Sequence, residues 1–174
     1  MGNMMPFESL DIINCSNYVV YEDGTIQHAT KHRIKKPSVN QYGTYFVNLT
    51  DDFGKQRSFP VATIVAKAFL EPESPNHNTV IFKDGDRSNY HADNLAYRTR
   101  SYAIRYNKYF ASDAPLQANV LCHIESEDRH GTIRRFDTLL QAAVYHGVLP
   151  TDIAISMHHE RPVYIVEGLT FYKL

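Results

Sequence analysis

The run Val80-Ile81-Phe82-Lys83-Asp84-Gly85-Asp86-Arg87-Ser88-Asn89-Tyr90-His91-Ala92-Asp93-Asn94-Leu95-Ala96-Tyr97-Arg98-Thr99 decides how the chain is read. Val80-Ile81-Phe82 is a short apolar strand, and Lys83-Asp84-Gly85-Asp86 is the loop that leaves it. A helix is expected from Asn89 to Leu95. Residues 98–109 then interleave Arg98, Arg100, Arg105 and Lys108 with aromatics, a basic stretch that reads as a helix with Tyr102, Tyr106 and Tyr109 packed inward.

Upstream, Ile64, Val65, Ala68 and Phe69 recur at helical spacing, so a short helix is expected over Val61–Phe69, ended by Glu71-Pro72. Residues 11–60 read as β structure. Tyr18-Val19-Val20-Tyr21 turns through Glu22-Asp23-Gly24 into Thr25-Ile26, and Tyr45–Leu49 turns through Asp51–Lys55 into Arg57-Ser58-Phe59. Between these hairpins lies the basic run Lys31-His32-Arg33-Ile34-Lys35-Lys36. Downstream, a linker is expected at 111–118 around Pro115. A hairpin follows over Asn119-Val120-Leu121 and Ile133–Phe136. A helix runs from Leu139 to His146, capped by Asp137-Thr138 and stopped by Gly147. Pro150 opens a second helix reaching about His158. Val163–Val166 and Thr170–Tyr172 read as two closing strands.

The bulk properties narrow the choices. Among 174 residues, 43% are hydrophobic and 21% charged, enough for a buried core. Net charge is −1, but residues 31–108 hold 13 Lys and Arg against 7 Asp and Glu, while the rest hold 5 against 12. A basic middle between acidic ends is an electrostatic footprint for phosphate, or simply an uneven solvated surface. Cys15 and Cys122 stand far apart, which argues against a disulfide framework or a thiolate zinc site. No apolar run reaches a membrane span, and MGNMMPFESLD lacks the basic-then-apolar order of a signal peptide. A reducing cytosol is expected.

Three segments in this order resemble the phage HNH homing endonuclease family. Phe7–Gln27, with Ser16–Val20 and Asp23–Ile26, resembles its N-terminal module. Val65–Phe69, Asp84-Gly85-Asp86, Asn89 and Asn94–Thr99 resemble its HNH core. Phe136–Thr138, Ala142-Ala143, Gly147 and Ile153 resemble the helix-turn-helix module that often ends such enzymes. The resemblance implies an α+β fold: N-terminal antiparallel hairpins, a ββα core of the His-Me finger kind, a basic helical connector, and a C-terminal hairpin plus helix-turn-helix. The implied division is 1–110, a linker at 111–118, and 119–174.

In that family a His ending the first core strand activates water, while a neighbouring acid and a helix Asn or His hold one divalent metal. The matching places here are Ile81 and Phe82, which can neither take a proton nor ligate a cation; Asn89 and Asn94 remain. Ala62 stands where a His commonly opens the preceding helix. The expectation is therefore a degenerate site, with no catalytic residue, no metal and no enzyme activity. His77 and His91 are the alternatives for a displaced base, in which case Mg²⁺ would be needed. Both also read as ordinary solvated side chains, as Ile81 and Phe82 read as core.

The resemblance implies a double-stranded DNA partner, with no membrane and no small-molecule substrate, in the cytoplasm of a bacterial host, and a phage or phage-like element as source. Phosphate contacts are expected from Lys31, Arg33, Lys35, Lys36, Lys55, Arg57, Arg98, Arg100, Arg105, Lys108, Arg134, Arg135 and Arg161. Base reading is expected from Thr151, Asp152, Ser156, His158 and His159 on the second C-terminal helix. The expected role is transcriptional repression by occupancy. A nicking endonuclease and a protein-interaction module are the rival readings.

Overall fold

The computed structural model describes residues 7–112, 119 and 121–174. Residues 113–118 of the expected linker, Val120 of the expected hairpin and the first six residues lie outside the described ones. The backbone gathers into two units. One comprises residues up to Glu71 together with Asp86–Tyr97; the other comprises Pro72–Gly85 together with Arg98–Leu174.

In the first unit, β1 (Phe7–Ser9), β2 (Tyr18–Tyr21), β3 (Ile26–His28) and β4 (Ile34–Lys35) form an antiparallel sheet in that order. A second antiparallel sheet orders β5 (Ser38–Val39), β6 (Tyr45–Thr50) and β7 (Gln56–Pro60). Helix α1 spans Val61–Phe69, as its spacing predicts, and buries Val61, Ile64, Val65 and Ala66. Leu10, Val20, Ile26, Val47 and Leu49 belong to the same buried set. Burying such side chains stabilises by about 1.5–3 kcal/mol each.

The helix expected over Asn89–Leu95 does not form. Only one 3-10 turn, Ala92–Asn94, is present before β9 (Leu95–Arg98). Local side chains take the backbone groups that a helix would use. Asp86 accepts from the Ser88 N–H and hydroxyl, His91 accepts from the Asp93 N–H, and the Asn94 amide donates to the Asn89 carbonyl. Short Asx and Ser side chains compete with helix in this way.

In the second unit, β8 (Thr79–Phe82) leads into a turn at Gly85, whose φ of +79° favours glycine. A Cβ there would lie 2.6 Å from the Cβ of Phe110. Helix α2 runs Arg100–Phe110 and is N-capped by Thr99. It buries Tyr102, Ala103 and Tyr106, and the Tyr106 hydroxyl donates to the Lys83 carbonyl at 2.7 Å.

A three-stranded antiparallel sheet follows, in order β11 (Ile133–Thr138), β10 (Leu121–Glu127) and β12 (Thr170–Lys173). Helix α3 (Leu139–His146) begins where Thr138 accepts from the Gln141 N–H, while Gln141 accepts from the Asp137 N–H. It ends at Gly147 in the left-handed region. Helix α4 (Pro150–His159) begins with Pro150, so the two helices are joined by Gly147, Val148 and Leu149.

The strand expected at Val163–Val166 is replaced by a turn. Pro162 precedes it, and the backbone closes on itself instead of on a ladder: the Val163 N–H donates to the Leu169 carbonyl at 2.7 Å and the Leu169 N–H to the Val166 carbonyl at 3.4 Å. The alternation survives as burial of Val163 and Ile165 against an exposed Tyr164. The described residues thus make a mixed α+β fold with four helices and several antiparallel sheets, the expected class. None of these helices is long and apolar enough to cross a membrane.

Candidate nucleic-acid interface

The expected cations divide into those facing solvent and those spent inside. In the first unit, Lys31, Arg33 and Lys36 are exposed around β4, while Lys35 is half-buried with its Nζ 5.3 Å from the Tyr18 ring centre. On the β6–β7 hairpin Lys55 is exposed. Arg57 is also exposed, but its Nε lies 2.8 Å from Asp51 Oδ2. Asp51 further accepts the Lys55 and Phe53 N–H groups. These bonds, the Lys55 one foremost, hold its carboxyl below the usual range.

The hairpin also carries a polar row that sequence reasoning missed. Asn48 lies opposite Ser58, and Thr50 opposite Gln56, all four exposed on one face. Strict alternation along Tyr45-Phe46-Val47-Asn48-Leu49-Thr50 carries that signal, because period two sends Asn48 and Thr50 away from buried Val47 and Leu49. Asn and Gln can each make two bonds to an adenine edge.

In the second unit, Arg100 and Lys108 lie exposed on α2. Arg105 is exposed but donates to the Tyr164 hydroxyl and stands over the Tyr102 ring at 5.1 Å. Arg98 departs from expectation. It is 3% exposed, its Nε donates to the Gly147 carbonyl at 3.1 Å and its Nη2 to the His146 carbonyl at 2.8 Å. Its Nη1 stands 3.9 Å from Glu73. This guanidinium closes the C-terminal end of α3 and does not present itself to a phosphate. Arg134 is exposed, 5.0 Å from the Tyr145 ring centre; Arg135 pairs with Glu125 at 3.0 Å; Arg161 is exposed beyond α4.

Two of the expected base readers also turn inward. Asp152 is 6% exposed and accepts from the Tyr102 hydroxyl at 2.6 Å; the same phenol oxygen accepts the Leu149 N–H at 2.7 Å. Burial, followed by the Asp152 carboxylate, pushes the Tyr102 phenol well above its ordinary pKa. Ser156 is 1% exposed, donates to the Arg161 carbonyl and accepts the Phe171 N–H. Thr151, His158 and His159 remain exposed. The outward stripe of α4 is therefore Thr151, Ala154, Ile155 and His158, at i, i+3, i+4 and i+7.

The four positions of the expected degenerate site fall on both units. Ile81 and Phe82 lie on β8 of the second unit, Ile81 fully buried and Phe82 half-buried. Asn89 and Asn94 belong to the first unit, joined by the bond between the Asn94 amide and the Asn89 carbonyl. Among the described residues, no group of three or more His, Cys, Asp or Glu side chains comes together to hold a metal. The strand positions Ile81 and Phe82 offer no donor atom, so these two residues do not fit a divalent ion. Of the alternative histidines, His91 caps the 3-10 turn. His77 is buried in the second unit; its Nδ1 has no hydrogen-bond partner among the described residues and lies 3.8 Å from Glu73 Oε2.

No family model matches the chain. Over 93 residues, 53% of its length, the chain is 29% identical to an uncharacterized HNH endonuclease of Acanthamoeba polyphaga mimivirus. It spans 23% of that relative's length. The structure resembles that of the HNH homing endonuclease I-HmuI, solved in a study of DNA binding and cleavage. The TM-score is 0.53 at 18% identity, covering 98% of both chains. The expectation that the chain is not an enzyme is corrected by these likenesses, since both similar proteins are named as endonucleases. The fold is that of the HNH homing endonuclease I-HmuI.

Proposed function

We propose that the chain binds a specific site on double-stranded DNA, gripping phosphates with its exposed cations and reading bases with the β6–β7 hairpin and the α3–α4 helix-turn-helix. The observation that carries this reading is the outward placement of Lys31, Arg33, Lys36, Lys55, Arg100 and Lys108 in a chain whose net charge is −1. Cations held at the surface, here four in turns and loops beside β4 and β7 and two on α2, are what phosphate contact requires. The neighbour I-HmuI binds DNA, which supports the same partner.

Selection of duplexes from a random pool, followed by gel shifts across a salt series, tests the reading. Affinity is expected to fall steeply with salt, with a log–log slope of roughly −0.9 for each phosphate neutralised. A flat salt response overturns it in favour of a protein partner.

Strand cleavage is the second reading, supported by the endonuclease names of both similar proteins and by buried His77 beside Glu73. Incubating the selected duplex with the chain and Mg²⁺ or Mn²⁺ tests it. Nicking that is lost in His77→Ala assigns the base; nicking retained there and lost in His91→Ala assigns His91. Repression is the role that occupancy of a promoter supports. A reporter carrying the selected site upstream is expected to fall in output when the chain is present.

A further inference from the structure

Helix α4 and residues 161–164 line a cavity of about 460 Å³ that the DNA-binding reading leaves unused, and all of its lining lies in the second unit. Ile155, Pro162 and Val163 give it apolar walls, and Arg161 and Tyr164 stand exposed at its rim. Asp152 and Ser156 line its buried side, at 6% and 1% exposure. Small-molecule sites share these traits: roughly 300–1,000 Å³ of space, mostly apolar walls and a few placed polar groups.

The two buried polar groups differ in what they still offer. Ser156 is used twice, since its hydroxyl donates to the Arg161 carbonyl and accepts the Phe171 N–H. Asp152 is used once. Its Oδ2 accepts from the Tyr102 hydroxyl at 2.6 Å, and its Oδ1 has no hydrogen bond among the described residues. The Tyr102 oxygen already accepts the Leu149 N–H, so its one proton points at Oδ2 and fixes which carboxylate oxygen is left for the cavity. A largely buried acceptor without a donor is unfavourable, and a ligand N–H removes that penalty. The surrounding charge selects the kind of donor. Arg105, which donates to the Tyr164 hydroxyl and also feels the Asp152 charge, and Arg161 set two guanidiniums against one carboxylate. A cationic amine is disfavoured there. A neutral N–H donor for Asp152, carried with a negative group for Arg161, fits.

We propose that this cavity binds a free nucleoside monophosphate whose base carries an exocyclic amine, cytidine monophosphate above all, with the amine on Asp152 Oδ1 and the phosphate on Arg161. Cytosine N4–H is a donor that a carboxylate accepts. Guanine fits less well, because its adjacent N1–H and N2–H call for two free oxygens and Oδ2 is taken. The flat ring lies against Ile155, Pro162 and Val163. Ile155 also belongs to the outward stripe of α4, so the bound nucleotide borders the surface proposed to read bases. The site stands independently of that proposal, and its test contains no DNA.

Isothermal titration of the full chain with cytidine monophosphate, uridine monophosphate and cytidine tests it. Cytidine monophosphate is expected to saturate one site. Uridine monophosphate, which presents a carbonyl in place of the amine, is expected to bind about tenfold more weakly. Asp152→Asn keeps an oxygen for Tyr102 and turns an amino group to the cavity, so the preference should reverse in favour of uridine monophosphate. Exposed Arg161→Ala should unfold like wild type and bind cytidine monophosphate no better than cytidine. Absence of saturable binding, equal affinity of wild type for the two nucleotides, or an unreversed preference in folded Asp152→Asn overturns the proposal. Should Asp152→Asn fail to fold, the wild-type comparison and Arg161→Ala still decide it: an undiminished advantage of cytidine monophosphate over cytidine in Arg161→Ala overturns the phosphate contact.

Discussion

Helices α2 and α4 lie in the same unit, and both present themselves in sequence as polar helices suited to DNA. They use their polar residues in opposite ways. Helix α2 turns tyrosines inward and leaves Arg100 and Lys108 at the surface. Helix α4 turns Asp152 and Ser156 inward, where each has two or more hydrogen-bonding duties or a charged acceptor role, and leaves Thr151, Ala154, Ile155 and His158 outside. A polar residue on a helix is thus no guide to its solvent face until its partner is known. The first helix keeps its charge at the surface; the second carries its polarity as internal fastening and offers a largely neutral stripe.

That contrast can be broken experimentally, most forcefully at the residue that belongs to neither surface. Arg98→Ala removes a buried guanidinium and strands the carbonyls of His146 and Gly147. Urea unfolding is expected to lose about 3–5 kcal/mol, the range for removing one member of a buried charged network. If Arg98 were a phosphate contact, stability would hold and DNA affinity would fall instead.

Asp152→Ala probes the inward side of α4. It leaves the Tyr102 hydroxyl without its acceptor, so a loss of about 1–3 kcal/mol is expected. Base preference in a selection experiment is expected to stay unchanged for the fraction that remains folded. A shifted base preference at native stability would restore Asp152 as a reader.

His146, at the end of α3, gives a pH signature. Its Nε2 lies 2.9 Å from the Ser126 hydroxyl, and burial, then Lys83 and Arg134, pushes its pKa down to about 4 from an ordinary 6.5. A depressed folded pKa stabilises above the ordinary value and is lost as pH falls toward the folded one. Stability is therefore expected to decline from pH 6.5 towards 4, by about 2 kcal/mol at pH 5. In His146→Phe, denaturation midpoints at pH 7 and pH 5 should draw together.

The smallest effects are expected on the gripping side. Arg100→Ala and Lys108→Ala should each reduce affinity by about 1 kcal/mol and lower the salt slope by roughly one, with little change in stability. Unaltered salt slopes in both would remove α2 from the phosphate-contacting surface.

Much of the fold was legible because its signals are local. Helix α3 was bracketed by Thr138 and Gly147, α4 was opened by Pro150, and α1 showed its spacing within nine residues. What sequence reasoning missed depends on distant partners. Asp152 meets a tyrosine 50 positions away, and Arg98 meets carbonyls 48 and 49 positions away. Periodicity carries no trace of such pairings. The Asn89–Leu95 segment failed for a different reason, since the His91 and Asn94 side chains, with Asp86 just before them, satisfied the backbone locally. The candidate interface was legible as a set of cations but not as the subset that faces outward.

The Tyr102 hydroxyl, held between Asp152 and the Leu149 N–H, has a consequence for the proposed DNA contact. One side chain of α2 is bonded both to the first turn of α4 and to the residue that precedes it. Helices α2 and α4, proposed to grip and to read, are thereby set at one separation, like marks on a ruler. A target that presents its backbone to α2 and its base edges to α4 has to match that interval. One inserted base pair turns the duplex by roughly a tenth of a revolution, so insertions between the two contacted stretches should be tolerated far worse than substitutions within the gap.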